Sequence, residues 1–205
     1  MINLDVNAYK LYVFDVDGTL YDQKRLRLIM AKRLLVYYAL HPFKIRELVI
    51  LQSFRKMKDA WTGKSSDEAV CRALAEKKGI DYSRVWKIVH YWIYENPLDA
   101  VYKTRYVEFP ELIGKLRGLG KKVVALSDYP TTDKLKALQI ELDGEYTTVD
   151  ERIGELKPSP RGLKVIMEDF GLNKNEIIMI GDRDDKDGES ARRAGCDYLI
   201  VNSNH

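Results

Sequence analysis

The chain has 205 residues, of which 45% are apolar and 32% charged, with a formal net charge of +3. That length holds one full domain, with room for a smaller accessory one, and buries a substantial core. The modest charge gives no reason to invoke nucleic acid, and no apolar run is long enough to cross a bilayer. Cys71 and Cys196 stand far apart and flank no histidine cluster, so they read as reduced packing thiols. No secretory signal is evident before the first strand, and a soluble cytoplasmic protein is the expectation.

Leu11-Tyr12-Val13-Phe14 is a short apolar run that breaks into Asp15-Val16-Asp17-Gly18-Thr19. Such a run suits a strand buried on both faces of a parallel sheet. Residues 21–100 carry long helical patterns and little strand character, so they read as an inserted helical lobe. Ser65 with Glu68 resembles a capping box, Gly79 suits a helix end, and Asp81 or Ser83 suits the next cap. Beyond the lobe, Pro110 opens a helix that stops near Gly118 or Gly120. The strand Val123–Leu126 ends at Ser127-Asp128, Pro160 opens a helix ending at Gly171, and the strand Ile177–Ile180 ends at Gly181-Asp182. A helix stopping near Gly195 and a strand over Tyr198–Val201 complete the alternation. The expected fold class is α/β: a doubly wound parallel sheet with an inserted helical domain. The expected divisions are 1–20 with 101–205 for the core and 21–100 for the helical cap.

Open parallel sheets bind ligands at the carboxyl ends of their strands, where Asp15, Ser127 and Asp182 all fall. Asp15 and Asp17 are two carboxylates one residue apart. One can attack phosphorus, and the other can protonate the leaving oxygen and then deprotonate water. Gly18 lets the backbone turn and offer amide hydrogens to phosphate oxygens. A carboxylate meeting a phosphate needs a cation between them, and Mg2+, a hard ion, suits oxygen ligands. Asp182 is a natural metal anchor, and Asp187 fits a supporting place around the metal, though Asp185 competes for it. Ser127 and the amide of Asp128 can donate to phosphate. Lys157 can hold a fixed ammonium against the phosphoryl group.

These stretches, in this order, resemble the haloacid dehalogenase superfamily. Asp15 through Leu20 looks like its first motif, Ser127 its second, Lys157 its third, and Gly181-Asp182 through Asp187 its fourth. The resemblance implies Asp15 as nucleophile and Asp17 as general acid/base. It also implies metal binding by the carboxylates of Asp15 and Asp182 and the backbone carbonyl of Asp17. Dehalogenases of the superfamily lack the second carboxylate and the related ion-pumping ATPases carry threonine there, so Asp17 favours phosphatases and phosphomutases. The large insertion between the first and second motifs matches the helical-cap class, which mostly handles small phosphorylated metabolites. Ser127 departs from many relatives in being followed by Asp128 where they have asparagine.

The implied activity is a Mg2+-dependent phosphatase acting on a small phosphate ester through an aspartyl-phosphate. A phosphotransferase or sugar phosphomutase on the same core is the first alternative, and a non-catalytic binding protein the second. From Tyr21 to Ala60 the chain carries ten Lys/Arg against three Asp/Glu, a difference of +7. These charges are expected to coat solvated helix faces while Leu26, Ile29, Met30, Leu34 and Leu35 pack inward; contact of a basic helix with a membrane surface is the lesser alternative. Trp86, Tyr91, Trp92 and Tyr94 are expected to pack between helices, and His41 and His90 to be structural or surface residues.

Overall fold

A computed structural model of the protein describes residues 4–61 and 66–201. Its centre is a five-stranded parallel sheet ordered β3-β2-β1-β4-β5. The strands are β1 (Leu11–Phe14), β2 (Lys122–Ser127), β3 (Gly144–Thr147), β4 (Ile177–Gly181) and β5 (Asp197–Ile200). Phe14 pairs with Ala125 on one side and Ile180 on the other, so β1 is the central strand. Four of these strands match the sequence expectation to within a residue or two. The fifth, β3, was not expected: it is a short edge strand of mixed polarity in which only Tyr146 is buried.

The pleat sends alternate residues of β1 into two cores. Tyr12 and Phe14 join Phe109, Ile113, Leu116, Leu135 and Leu138, which come from α6 (Glu108–Gly118) and α7 (Thr132–Leu138). Leu11 and Val13 join Leu163, Val165, Ile166 and Ala191, which come from α8 (Arg161–Phe170) and α9 (Glu189–Ala194). Helices thus cover both faces, and burial on both sides explains why β1, β2 and β4 read as unbroken apolar runs. Strand order reverses between β1 and β4.

The segment between β1 and β2 begins with α1 (Gln23–Leu40), α2 (Glu47–Asp59), α3 (Asp67–Lys78) and α4 (Tyr82–Val89). A π-helical stretch over His90–Glu95 and α5 (Leu98–Lys103) follow. Asp22, Ser66 and Asp81 cap α1, α3 and α4 by accepting from the amides of Arg25, Ala69 and Arg84. The capping role expected of Ser65 lies outside the described residues. The chain enters and leaves the segment side by side: Tyr21 bridges Arg105, and the Asp22 amide donates to the Thr104 carbonyl at 2.8 Å.

On α1, Leu26 and Met30 are buried as expected, while Ile29 and Leu34 are half-buried. Leu35 is a correction: it is 73% exposed, because seven residues on from Leu28 it returns to the outer face of the helix. Trp92 packs against Tyr37 and Tyr38. His41 stacks on Tyr37, and His90 pairs with Glu95 at the surface. Both cysteines are buried, and burial pushes the Cys71 thiol up to about 12 and Cys196 to about 11, as inert packing groups require.

Candidate active site

β1 ends at Asp15, and the Asp15 amide continues the ladder by donating to the Ile180 carbonyl at 2.8 Å. The carboxyl end of β1 is therefore locked beside that of β4, at the reversal of strand order. Asp15 is buried, and its two carboxylate oxygens have separate partners. Thr19 Oγ1 donates to Oδ2 at 2.9 Å, and Lys157 Nζ donates to Oδ1 at 2.6 Å.

Lys157 also reaches Asp187 Oδ1 at 2.6 Å, so one buried ammonium bridges two acids. Its backbone amide donates to Asp128 Oδ1 at 2.9 Å. Asp128 thus anchors the loop that presents Lys157, and Lys186 Nζ stands 3.5 Å from its other oxygen. Asp187 accepts from the Arg183 amide at 3.1 Å through its second oxygen. Asp185, the rival for the second acid of this motif, instead pairs with Arg183 at the surface. Asp187 is the one turned inward.

Oxygens of Asp15, Asp182 and Asp187 all lie within 4.8 Å of one another. Burial pushes Asp15 up to about 8, with Lys157 pulling against it and Asp187 and Asp17 adding to it as like charges. Asp182 is raised by burial and then by Asp187. Carboxylates crowded in this way demand positive charge, and a hard, all-oxygen donor set fits a small divalent cation such as Mg2+. Gly18 and Gly181 make the crowding sterically possible. A Cβ at Gly18, where φ is +105°, would lie 2.4 Å from Asp182 Oδ2, and one at Gly181 would lie 2.3 Å from Asp187 Oδ2.

Asp17 faces a different environment. Lys134 Nζ contacts its oxygens at 2.6 and 2.8 Å, the Tyr21 hydroxyl donates to Oδ1, and Ser127 Oγ stands 3.4 Å from Oδ2. Burial opposes ionisation, but the charge and hydrogen bonds of Lys134, with Tyr21, outweigh it and hold the carboxyl below its usual range. Ser127 Oγ in turn accepts from the Tyr129 amide at 3.1 Å. The structure therefore gathers Asp15, Asp17, Gly18, Ser127, Asp128, Lys157, Asp182 and Asp187 at one edge of the sheet. All but Gly18 line a single cavity of about 510 Å³.

Lys134, Tyr21 and Thr19 were not singled out in the sequence. Lys134 had a faint signal: it lies in the first turn of the helix that follows the Ser127 loop, a usual place for groups that face a strand-end site. Tyr21 and Thr19 follow the paired aspartates so closely that they read as ordinary turn and helix-entry residues.

A doubly wound sheet with acids, a buried lysine and a serine converging where strand order reverses defines a Rossmann-like fold with a carboxylate-rich cavity at the usual ligand-binding edge. Residues 9–195 match the model of the haloacid dehalogenase-like hydrolases, and the chain belongs to that family. It is 28% identical over 196 residues to a phosphoglycolate phosphatase of Aquifex aeolicus (strain VF5), covering 94% of this chain and 84% of that one. Among solved structures it resembles the HAD-hydrolase YfnB of Bacillus subtilis, in a form bound to magnesium. The TM-score is 0.68 at 16% identity, over 97% of this chain and 91% of the other. A 2-haloacid dehalogenase of Pseudomonas syringae pv. Tomato DC3000 aligns with a TM-score of 0.67 at 18% identity, over 94% and 86%. At such identities the structural likeness speaks for the fold alone.

Proposed function

We propose that this hydrolase is a Mg2+-dependent phosphatase that cleaves a phosphate monoester through an aspartyl-phosphate on Asp15. The observation that carries the reading is the pairing of Asp15 with a second, separately held carboxylate two residues on. Asp15 shares its acidic cluster with Asp182 and Asp187, whereas Asp17 faces Ser127, Lys134 and Tyr21. A displacement whose leaving group departs without a proton makes little use of that second group; ester cleavage uses it twice, as acid and then as base.

In the first step an Asp15 oxygen attacks phosphorus, the phosphorus–oxygen ester bond breaks, and Asp17 delivers a proton to the leaving alkoxide. In the second, Asp17 takes a proton from water, whose oxygen attacks phosphorus and releases Asp15 and inorganic phosphate. Lys157, Ser127 and the amides around Gly18 and Asp128 hold the phosphoryl oxygens. Asp15 and Asp182 would hold Mg2+ with the Asp17 carbonyl, and the bound ion supplies the charge that lets carboxylate and phosphate approach. Asp187 orients Lys157 beside them. Residues 21–100 form the cap over this site, with residues 1–20 and 101–205 as the catalytic core and the Tyr21–Arg105 bridge as the neck between them.

The phosphatase relative from Aquifex aeolicus supports this reading. Release of phosphate from p-nitrophenyl phosphate with Mg2+ tests it. Activity that needs Mg2+ and disappears in Asp15→Asn is expected. Equal inertness of both proteins toward aryl and acyl phosphates would sink it.

A further inference from the structure

The cavity that holds the acidic cluster does not stop at the phosphate. On its lobe side it is lined by Leu26, Met30 and Leu34 of α1, and by Trp92, Ile93 and Leu98 from the segment that closes the lobe. Leu26, Met30 and Leu34 follow one another at four-residue spacing, so they form a single stripe about 12 Å long on one helix face. A two-carbon phosphoacid occupies only the core end of such a space. It would also need a cation for its carboxylate. Of the cations that line the cavity, Lys134, Arg183 and Lys186 are already paired with Asp17, Asp185 and Asp128, Arg55 shares its wall with Asp59 one turn further along α2, and Arg27 lies on the lobe side, hydrogen-bonded to the neutral Gln23 at 2.6 Å.

We infer that the substrate is a phosphate monoester of an extended apolar group (alkyl, prenyl or aryl) whose body lies along the Leu26–Met30–Leu34 stripe. The inference rests on the phosphatase reading. The phosphate meets the polar core end, and the apolar body lies against the α1 wall and against Trp92 and Ile93, which line the same cavity. Each methylene that leaves water against this wall favours the transition state about fourfold.

Hydrolysis of a series of n-alkyl monophosphates from ethyl to decyl, alongside phosphoglycolate and acetyl phosphate, tests this. kcat/KM is expected to climb with chain length by at least a hundredfold over the series. Leu34→Asp and Ala31→Trp, both at the lobe wall of the cavity, should flatten the climb, lowering kcat/KM for decyl phosphate far more than for ethyl phosphate. A flat series, or phosphoglycolate as the best substrate, overturns the inference while phosphate release from any member keeps the phosphatase reading. Absence of release from every compound sinks the phosphatase reading itself.

A separate observation concerns the outer surface of the same lobe. Leu28, Leu35, Val36, Leu40, Phe43, Ile45 and Val49 are all more than half exposed, and Phe43 is 99% exposed. Residues 23–49, which span them, carry seven Lys/Arg and one acid, Glu47. Apolar side chains set in a mainly cationic field complement an anionic lipid surface, and we propose that this face docks on one. Among the described residues no helix is long and apolar enough to cross a membrane, so the contact is peripheral. The protein should float with phosphatidylcholine vesicles containing phosphatidylserine and much less with phosphatidylcholine alone. Phe43→Asp with Leu40→Asp should cut that binding at least tenfold without changing p-nitrophenyl phosphate turnover. No flotation with either vesicle, or a dimer in solution that the same double variant dissolves, overturns the proposal.

Discussion

Lys134 grips both carboxylate oxygens of Asp17, at 2.6 and 2.8 Å, from a helix 117 residues further along the chain. Both side chains are only 12% exposed. The contact favours ionised Asp17, the form that the proposed second step needs to take a proton from water; for the first step Asp17 takes up the proton that a monoanionic phosphate ester brings with it. Lys134→Met removes the counter-charge and leaves Asp17 dependent on Tyr21 and Ser127. The expected result is a loss of kcat of roughly tenfold to a hundredfold, less than the full worth of an acid/base group because Asp17 itself stays, with a smaller effect on KM. Steady-state kinetics on an aryl phosphate check it, and Lys134→Arg should recover part of the loss.

The acidic cluster also predicts how stability responds to pH without a divalent ion. Asp15 is raised in the folded protein from 3.8 to about 8, and Asp182 is raised as well. Between those limits the folded state binds more protons than the unfolded chain, so stability falls as pH rises from about 4 to about 8. Asp17 has the opposite sign: its folded value is lowered, so its contribution is present above the unfolded value and is lost only at lower pH. In EDTA, Tm should therefore decline between pH 5 and pH 8. Added Mg2+ should raise Tm more at pH 8 than at pH 5, since it favours the ionised cluster and competes with protons. Asp15→Asn should weaken both trends. A thermal-shift series at several pH values reads all three.

Much of this site was legible because its parts fall where buried strands end. The runs before Asp15, Ser127 and Asp182 are apolar throughout, since both faces of β1, β2 and β4 are covered, and that pattern marks the strand ends sharply. What escaped did so for physical reasons. Strand β3 lies at the sheet edge with one buried side chain, so Gly144–Thr147 lacks an apolar signature. Lys134 meets Asp17 only through the fold, and a lysine in a short exposed-looking helix carries no local sign of burial. Leu35 escaped in the other direction, because an apolar residue on a helix reads as inward unless its angle is compared with a neighbour already known to face out. Asp185 and Asp187 are equivalent by composition; their different turns around Arg183 separate them.

Gly18 and Gly181 make a paired steric prediction. Alanine at Gly18 puts a methyl 2.4 Å from an Asp182 oxygen and must also hold φ near +105°. Alanine at Gly181 puts one 2.3 Å from Asp187, with no conformational strain of its own. Both variants should lose at least a hundredfold in kcat/KM, because either acid has to move. Gly18→Ala should cost a further 1–3 kcal/mol or so in urea unfolding through backbone strain. Far-UV circular dichroism should show both proteins folded, and the Tm gain from Mg2+ should shrink in each.

The last prediction concerns the lobe rather than the core. Lys58 and Asp67 form an ion pair at 2.7 Å with side chains only 2% and 8% exposed, and the Tyr94 hydroxyl donates to Asp67. Lys58 also lies 5.2 Å from the centre of the Tyr129 ring, which follows Ser127 and Asp128 on the core and has Lys134 at 5.4 Å. One buried cation thus ties α2 to α3 and touches the loop that carries the second motif. Lys58→Met leaves a buried carboxylate without its counter-charge and should destabilise the protein by about 3–5 kcal/mol. Lys58→Met combined with Asp67→Leu removes both charges and should recover most of that loss, since an apolar pair avoids the desolvation cost. Urea unfolding of the four proteins in the double-mutant cycle gives the coupling directly. Stability restored without full kcat would mean that Lys58 also positions Tyr129 over the site; stability and kcat restored together would confine its role to holding the lobe.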